Sequence, residues 1–438
     1  MNNISAFLEW SKEKGIVSNA SVKETKYAGY GLFSTRDATD DSEPFVSIPY
    51  DLILTASKAM TDAQFAQAIA RTTEQDITSF ATENERLILC LFLIYCSFFN
   101  TNTPWQPYMA ILPSIDLFKQ SHILFNPDLV SGTTLETSIR TKLSSLKREY
   151  DSLTHADDWL SDIQFDMYVW ANCVFWSRVV GIGEDQEHAT SSSMALIPFF
   201  DFANHSSESP NIRWQLTDKG MDLVPFTSIQ TGEELLLSYG SKSNQELLFL
   251  HGFCIPQNTE PFPVSIPLLP FFNPVEENLA KIRWLKQVGV KPALTLLPHS
   301  KEDAFLERDS MTTMYLVVLD EESGLEISSS ASENDEEIVL SLAGDAVDSL
   351  NALDAKVKQM DLFPILQLRV IVLLQDALEY HVTLIDTPSS TDSSALAQQA
   401  SIYRSEEAAT LKATLDQLTI LRDQLMQHPT VLSYLQNA

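Results

Sequence analysis

The sequence predicts an α+β protein in which a β-rich fold is interrupted by helices and followed by more helices. Three observations predict it. Short β-like runs broken by Gly and Pro occur twice, at about 20–56 and again at 194–253. Between them, and after a Pro-rich hinge, apolar residues recur at helical spacing. Each β-rich piece is too small to bury a core alone, so the economical arrangement pairs the two and leaves the helices between them as an insert. The boundaries read as 1–56 for an N-terminal helix and the first β piece, 57–190 for the helical insert, 191–256 for the second β piece, and 257–438 for a mainly α-helical C-terminal domain.

Residues 4–14 read as an amphipathic helix with Ile4, Phe7, Leu8 and Trp10 as its apolar stripe and Gly15 as its stop. Residues 46–49 read as a strand. In the insert, residues 87–99 form the longest apolar run, which has the length of a core helix and is too short to cross a bilayer. A second helix is expected to open at Ser161, with Gln164 completing a capping box, and to carry Trp170, Val174 and Arg178 on one face. Strands follow at 194–203, 212–216, 223–226 and 234–239. Past the hinge, Asn273, Pro274 and Glu276 read as the opening of a helix that Gly289 stops, and Leu411, Leu415, Leu418, Leu421 and Leu425 form the stripe of the last helix. Residues 320–346 hold nine Asp or Glu and no Lys or Arg, and read as a solvated, mobile loop rather than a partner-docking tail. Residues 387–394 read as an inter-helix loop.

Twenty-nine Lys and Arg against 59 Asp and Glu give a net charge of −30. That balance excludes a surface built to grip nucleic acid or an anionic membrane, and favours steering of basic protein partners. No apolar span reaches the length of a transmembrane helix, and no secretory leader is expected at the N-terminus. Cys90, Cys96, Cys173 and Cys254 sit in apolar patterns with no C-x-x-C pair, so reduced core thiols of an intracellular protein are expected, with no metal site.

Three short segments in the β-rich pieces carry the chemistry. Ala28-Gly29-Tyr30-Gly31-Leu32-Phe33 offers two glycines for close backbone approach, without the third glycine of a dinucleotide fingerprint. Asp201-Phe202-Ala203-Asn204-His205-Ser206 clusters three polar groups after an apolar run, with no nucleophile-elbow serine. Gly232-Glu233-Glu234-Leu235-Leu236-Leu237-Ser238-Tyr239-Gly240 ends a strand on Tyr-Gly. Each alone has an ordinary reading as a turn, an Asx turn or a core aromatic. Together, in this order and at this separation, they resemble the SET-domain methyltransferases. The helical insert and helical C-terminal part, the 105–113 stretch, Ser177-Arg178, and Ser243-Asn244-Gln245-Glu246 leading to His251-Gly252-Phe253 are similar to the branch typified by the Rubisco large-subunit lysine methyltransferase. Other members of that branch act on ribosomal-protein lysines or on an actin histidine.

The resemblance implies a SET β-fold with its pseudoknot, and S-adenosylmethionine as methyl donor. It implies that Ala28, Gly29 and Tyr30 flank the donor by main-chain contacts, although many relatives carry Glu at the position of Ala28. It implies that Arg178 meets the donor's carboxylate, that Asp201 opens the loop whose Asn204 and His205 bind its amine and adenine, that Phe253 lies on the adenine beside His251 and Gly252, and that Tyr239 is the catalytic tyrosine. The histidine-modifying relative has Asn two residues after its Arg178 equivalent. Here that residue is Val180, which cannot bond an imidazole, so lysine is the expected acceptor. The expectation is a protein-lysine N-methyltransferase acting as a monomer, in the cytoplasm or nucleus, on a basic non-histone protein such as a ribosomal protein. The alternatives are a protein-histidine methyltransferase, a SET-fold scaffold that binds proteins without catalysis, and an acidic adaptor for basic proteins.

Overall fold

The computed structural model describes residues 3–25, 29–40, 42–72, 76–153, 159–183, 193–260, 263–268, 271, 276–298, 305–331, 336–386 and 393–437. The chain forms two compact units, residues 1–127 with 139–260 and 394–396, and residues 128–138 with 261–393 and 397–438.

In the first unit, the two β-rich pieces pair. Strand Val46–Pro49 lies antiparallel to Gly220–Pro225, with Val46 opposite Leu223 and Ile48 opposite Met221. All four of these side chains are buried, which fixes the register, since a one-residue slip would turn them to solvent. Val17–Ser18 and Ile212–Leu216 complete that four-stranded sheet. A second sheet shows how the insert is attached. Leu54–Thr55 and Val180–Ile182 flank Ser193–Leu196 on its two sides, so the chain leaves for the insert and returns from it at neighbouring strands. Strand Tyr30–Ser34 pairs with Ala20–Glu24 and bridges through Phe33 to Glu234. The chain then runs on to Leu236–Leu237, which lies parallel to Asn204–His205.

The apolar run of the insert forms helix Glu85–Ile94, extended by a wide turn over Tyr95–Phe99. Ile88 to Cys96 are buried throughout. The helix expected from Ser161 begins instead at Phe165 and ends at Arg178. Ser161 lies in a tight turn, Trp159–Asp162, because Leu160 and Ile163 are both buried there and the Ile163 carbonyl accepts from the Tyr150 hydroxyl at 2.9 Å rather than from the helix. The first helix is Asn3–Glu13, with Phe7 and Trp10 buried, and Gly15 follows at φ 90°. The four cysteines are buried and none is in a disulfide.

Among the described residues, the second unit packs helices Glu276–Gln287, Arg308–Val318, Leu350–Gln359, Phe363–Asp386, Ala395–Leu425 and Pro429–Asn437 with five strands. Helix Ala395–Leu425 belongs to this unit from Ala397 on. Leu411 and Leu418 of the expected stripe are in the core, but this helix is not the last, since Pro429–Asn437 follows it. Outside residues 332–335, which are not among the described residues, the acidic stretch is not a mobile loop. It folds as an antiparallel meander, Leu325–Ala331, Glu336–Leu342 and Asp345–Val347. The reason is alternation: Leu325, Ile338, Leu340, Leu342 and Val347 enter the core while Glu326, Ser328 and Glu337 face water. Asn273 and Pro274, read as a helix opening, and most of the 387–394 loop lie outside the described residues. Among the described residues no helix is long and apolar enough to cross a membrane.

Candidate functional site

The site is built in the first unit, where the two β pieces meet. Its centre is the loop from Phe199 to His205. Phe199 has φ 74°, a region that a bulky L-residue avoids. It is held there by burial, with its ring 6.2 Å from Phe7 and 6.1 Å from Phe202. After this reversal a tight turn, Phe200–Phe202, presents Asp201, and the chain extends through Asn204–His205.

Asn204 ties the loop to the glycine-rich segment. Its Nδ2 donates to the Tyr30 carbonyl at 3.3 Å and to Glu234 Oε1 at 2.8 Å. With both amide hydrogens engaged, Oδ1 is left as an acceptor. Gly31 is the tight point. A Cβ there would lie 2.6 Å from Glu234 Oε1, 2.8 Å from Thr25 Cγ2 and 2.9 Å from Asn204 Nδ2, so a larger residue would displace the side chains that tie the two segments together. Gly29, at φ 71°, makes the turn before it, closed by the Thr25 N–H donating to the Gly29 carbonyl at 2.6 Å.

Arg178 comes from the end of its insert helix. Its Nε pairs with Asp201 Oδ2 at 3.3 Å, and its Nη1 donates to Ser177 Oγ at 2.8 Å. Tyr108, fully buried in the insert, donates to the same Asp201 oxygen at 3.1 Å. The Asp201 side chain is 6% exposed. Burial raises its carboxyl above the ordinary range, and Arg178 and Tyr108 pull it part of the way back. Its second oxygen, Oδ1, is buried without a hydrogen-bond partner among the described residues.

Tyr239 closes the site. Its hydroxyl donates to the Ala203 carbonyl at 2.8 Å. Its ring stacks on His205 at 4.9 Å and lies 5.2 Å from His251, which is 6.0 Å from Phe253. Burial raises the Tyr239 phenol well above its ordinary value. His251 is pushed down to about 4, first by burial and then by the charge of Arg178, so it is neutral near pH 7. His205 is lowered as well, again chiefly by burial. Its Nδ1 accepts from the Tyr239 N–H at 3.1 Å, the shorter of two contacts, with the Leu237 carbonyl at 3.4 Å. The ring proton therefore sits on Nε2, which is also buried without a partner. Helix Asn244–His251 positions His251. It opens with a capping box between Ser243 and Glu246 and stops at Gly252, φ 81°, where a Cβ would meet the Ser121 carbonyl at 2.5 Å.

The structure thus gathers Gly29, Tyr30, Arg178, Asp201, Asn204, His205, Tyr239, His251, Gly252 and Phe253 around one site, while Ala28 lies outside the described residues. The sequence assigns no role to Glu234, although it stands in the third motif, whereas Gly31 of the first motif is one of the two glycines expected to allow close approach. The 105–113 stretch contains Tyr108, whose partner Asp201 lies 93 positions away. Among the described residues no group of His, Cys, Asp and Glu could hold a metal ion.

Residues 29–240 match the family model of the SET domain. The chain is a SET-domain protein. Curated relatives of this SET protein include the ribosomal lysine N-methyltransferase set10 of Schizosaccharomyces pombe, 26% identical over 53% of this chain and 41% of that protein. The actin-histidine N-methyltransferase of Homo sapiens is 26% identical over 58% of this chain and 42% of that protein. The matches thus span about two fifths of these relatives' length. Among solved structures, Rubisco LSMT bound to AdoMet superposes with a TM-score of 0.68 at 15% identity, covering 98% of this chain and 94% of that one. Its SET domain bound to lysine and AdoHcy gives 0.67 at 15% identity over 97% and 92%. At that identity the likeness is one of fold, an α+β SET fold followed by a helical C-terminal part.

The residues present fit a sulfonium amino-acid nucleoside. Arg178 keeps guanidinium hydrogens beyond those used on Asp201 and Ser177, Asp201 Oδ1 and His205 Nε2 are buried and unmatched, and Gly29 has open space where a side chain would stand.

Proposed function

We propose that the chain is an S-adenosylmethionine-dependent protein-lysine N-methyltransferase whose substrate is a basic non-histone protein, with a ribosomal protein as the favoured class. The observation that carries this reading is the Tyr239 hydroxyl held on the Ala203 carbonyl, one residue from Asn204, whose amide hydrogens are both fixed. It puts a rigid phenol oxygen beside the residues suited to hold the donor.

When bound, S-adenosylmethionine supplies an electrophilic methyl group on a positively charged sulfur. Arg178 holds a carboxylate. Asn204 offers Oδ1 to an ammonium. Tyr239 keeps its proton, because burial disfavours the phenolate, and donates it to Ala203. It therefore aligns the incoming amine with its lone pairs and does not act as a base. The rings of His205, Tyr239, His251 and Phe253 exclude water and disfavour an ammonium, so the substrate lysine enters as the amine after losing its proton. Below the lysine pKa the rate rises with pH, up to tenfold per unit.

Val180, partly buried at the start of strand Val180–Ile182, favours lysine, because it offers an imidazole no hydrogen bond. The −30 charge favours a basic substrate by steering. The test is transfer of isotopically labelled methyl groups to a lysate, with mass spectrometry of the modified residue and Tyr239→Phe as control. Labelled lysine that depends on Tyr239 is expected. Labelled histidine would move the chain to the actin-histidine type of chemistry. Absence of labelling together with absence of donor binding would leave a scaffold.

A further inference from the structure

We propose that Tyr108, a residue of the helical insert, is a positioning residue for the donor site: it pins Asp201 and, through Asp201, sets the angle at which Arg178 meets the donor's carboxylate. The inference rests on the function proposed above. Its grounds are in the wiring. Two side-chain donors, Tyr108 Oη at 3.1 Å and Arg178 Nε at 3.3 Å, meet Asp201 on the single oxygen Oδ2. Two donors on one oxygen fix the plane of the carboxylate and leave Oδ1 as an unmatched buried acceptor. Arg178 is held in turn at Nε by Asp201 and at Nη1 by Ser177, whose hydroxyl donates to the Cys173 carbonyl at 2.7 Å. The edge of the guanidinium left for a ligand is therefore oriented by a chain that ends at Tyr108.

The tyrosine is itself immobile. It is fully buried, with its ring 6.4 Å from Phe7, which is also fully buried and lies 5.7 Å from Phe202 of the same loop. An apolar ring would fill this space as well as tyrosine does. What the hydroxyl adds is the hydrogen bond to a charged, desolvated carboxylate, the kind whose loss is costly. Without it, Arg178 alone holds Asp201, and the carboxylate can turn to bring Oδ1 onto the guanidinium, which occupies the edge the donor needs.

The experiment uses S-adenosylhomocysteine as probe, titrated calorimetrically into the full chain as wild type, Tyr108→Phe, Asp201→Asn and the double variant. The wild type is expected to bind, and Tyr108→Phe to bind about tenfold more weakly. Asp201→Asn should weaken binding at least as much, and Tyr108→Phe should add little in the Asp201→Asn background, since the hydroxyl acts through the carboxylate. In turnover, KM for the donor should rise while KM for the protein substrate and kcat at saturating donor stay near wild type. A merely structural tyrosine would lower thermal stability while leaving donor affinity unchanged, or give effects that multiply in the double variant, and either of these overturns the proposal. If the wild type itself fails to bind the probe, the functional reading falls first and this inference with it.

Discussion

Each unit of the chain buries one carboxylate beside a tyrosine, and the two are treated differently. In the second unit Glu407, 2% exposed, has both oxygens matched: Oε1 accepts from the Thr134 N–H at 2.9 Å, and Oε2 from Thr134 Oγ1 at 3.0 Å and the Tyr403 hydroxyl at 2.5 Å. In the first unit Asp201 has two donors on one oxygen and none on the other. Burial raises both carboxyls above their ordinary values. The difference lies in completeness. A buried acid whose hydrogen bonds are all made by the protein is a staple, whereas one left half-matched keeps its remaining capacity for something that arrives later.

Four experiments test that contrast. The largest effect is expected at the site: Tyr239→Phe should lower methyl transfer about a hundredfold, by loss of the phenol oxygen that aligns the amine, with the melting temperature nearly unchanged. Equal rates for both forms would remove Tyr239 from the chemistry. Next, Glu407→Ala should destabilise the fold by about 3 kcal/mol, because Thr134 and Tyr403 lose a shared buried partner. Asp201→Asn should change stability by about 1 kcal/mol or less while weakening donor binding, and equal stability losses at the two positions in denaturant titration would erase the distinction. Third, His122 and His251 have ordinary values of 6.5 and folded values of about 4, both through burial first. The unfolded chain therefore binds more protons between those limits. The stability they contribute is whole above pH 6.5 and drains away as pH falls toward 4, by about 3 kcal/mol for the 1% exposed His122 alone. The raised carboxyls of Asp201 and Glu407 work in the opposite sense at the acid end, so a falling melting temperature is cleanest between pH 6.5 and 5.5, and a flat profile there contradicts the account. The smallest effect is at the cap that holds His251 in place. Ser243→Ala should lower stability by about 1 kcal/mol in a thermal melt, with a minor loss of activity.

What the sequence discloses and what it hides divides along the distance between partners. Strand 212–216 is found where the sequence places it and helix 165–178 ends where Arg178 is expected, but helix Asn244–His251, bounded by Ser243, Glu246 and Gly252, lies in a span that reads as strands and turns. Errors come where a distant partner decides. Ser161 and Gln164 carry a helix-opening signature, but Tyr150 takes the Ile163 carbonyl first. The acidic stretch from 320 to 346 conceals, under its charge, an every-other-residue apolar pattern that a core elsewhere in the chain makes use of. At the site, the three motifs with Arg178 and the His251-Gly252-Phe253 segment name the residues that line it. The wiring among them, Glu234 with Asn204 and Tyr108 with Asp201, is invisible, because no spacing rule connects residues brought together by the fold.

The hydrogen bond from Asn204 to the Tyr30 carbonyl closes a loop of 174 positions. Such a contact cannot form while the chain between its ends is still being made, so nothing resembling the finished pocket exists on a nascent chain that has reached only the insert. The insert helices and the local pair of strands Ala20–Glu24 and Tyr30–Ser34 can gain order early, whereas the bridge from Phe33 to Glu234 must wait for the 230s. In refolding, recovery of ligand binding should therefore lag behind recovery of helical signal, on the milliseconds-to-seconds scale of non-local strand pairing.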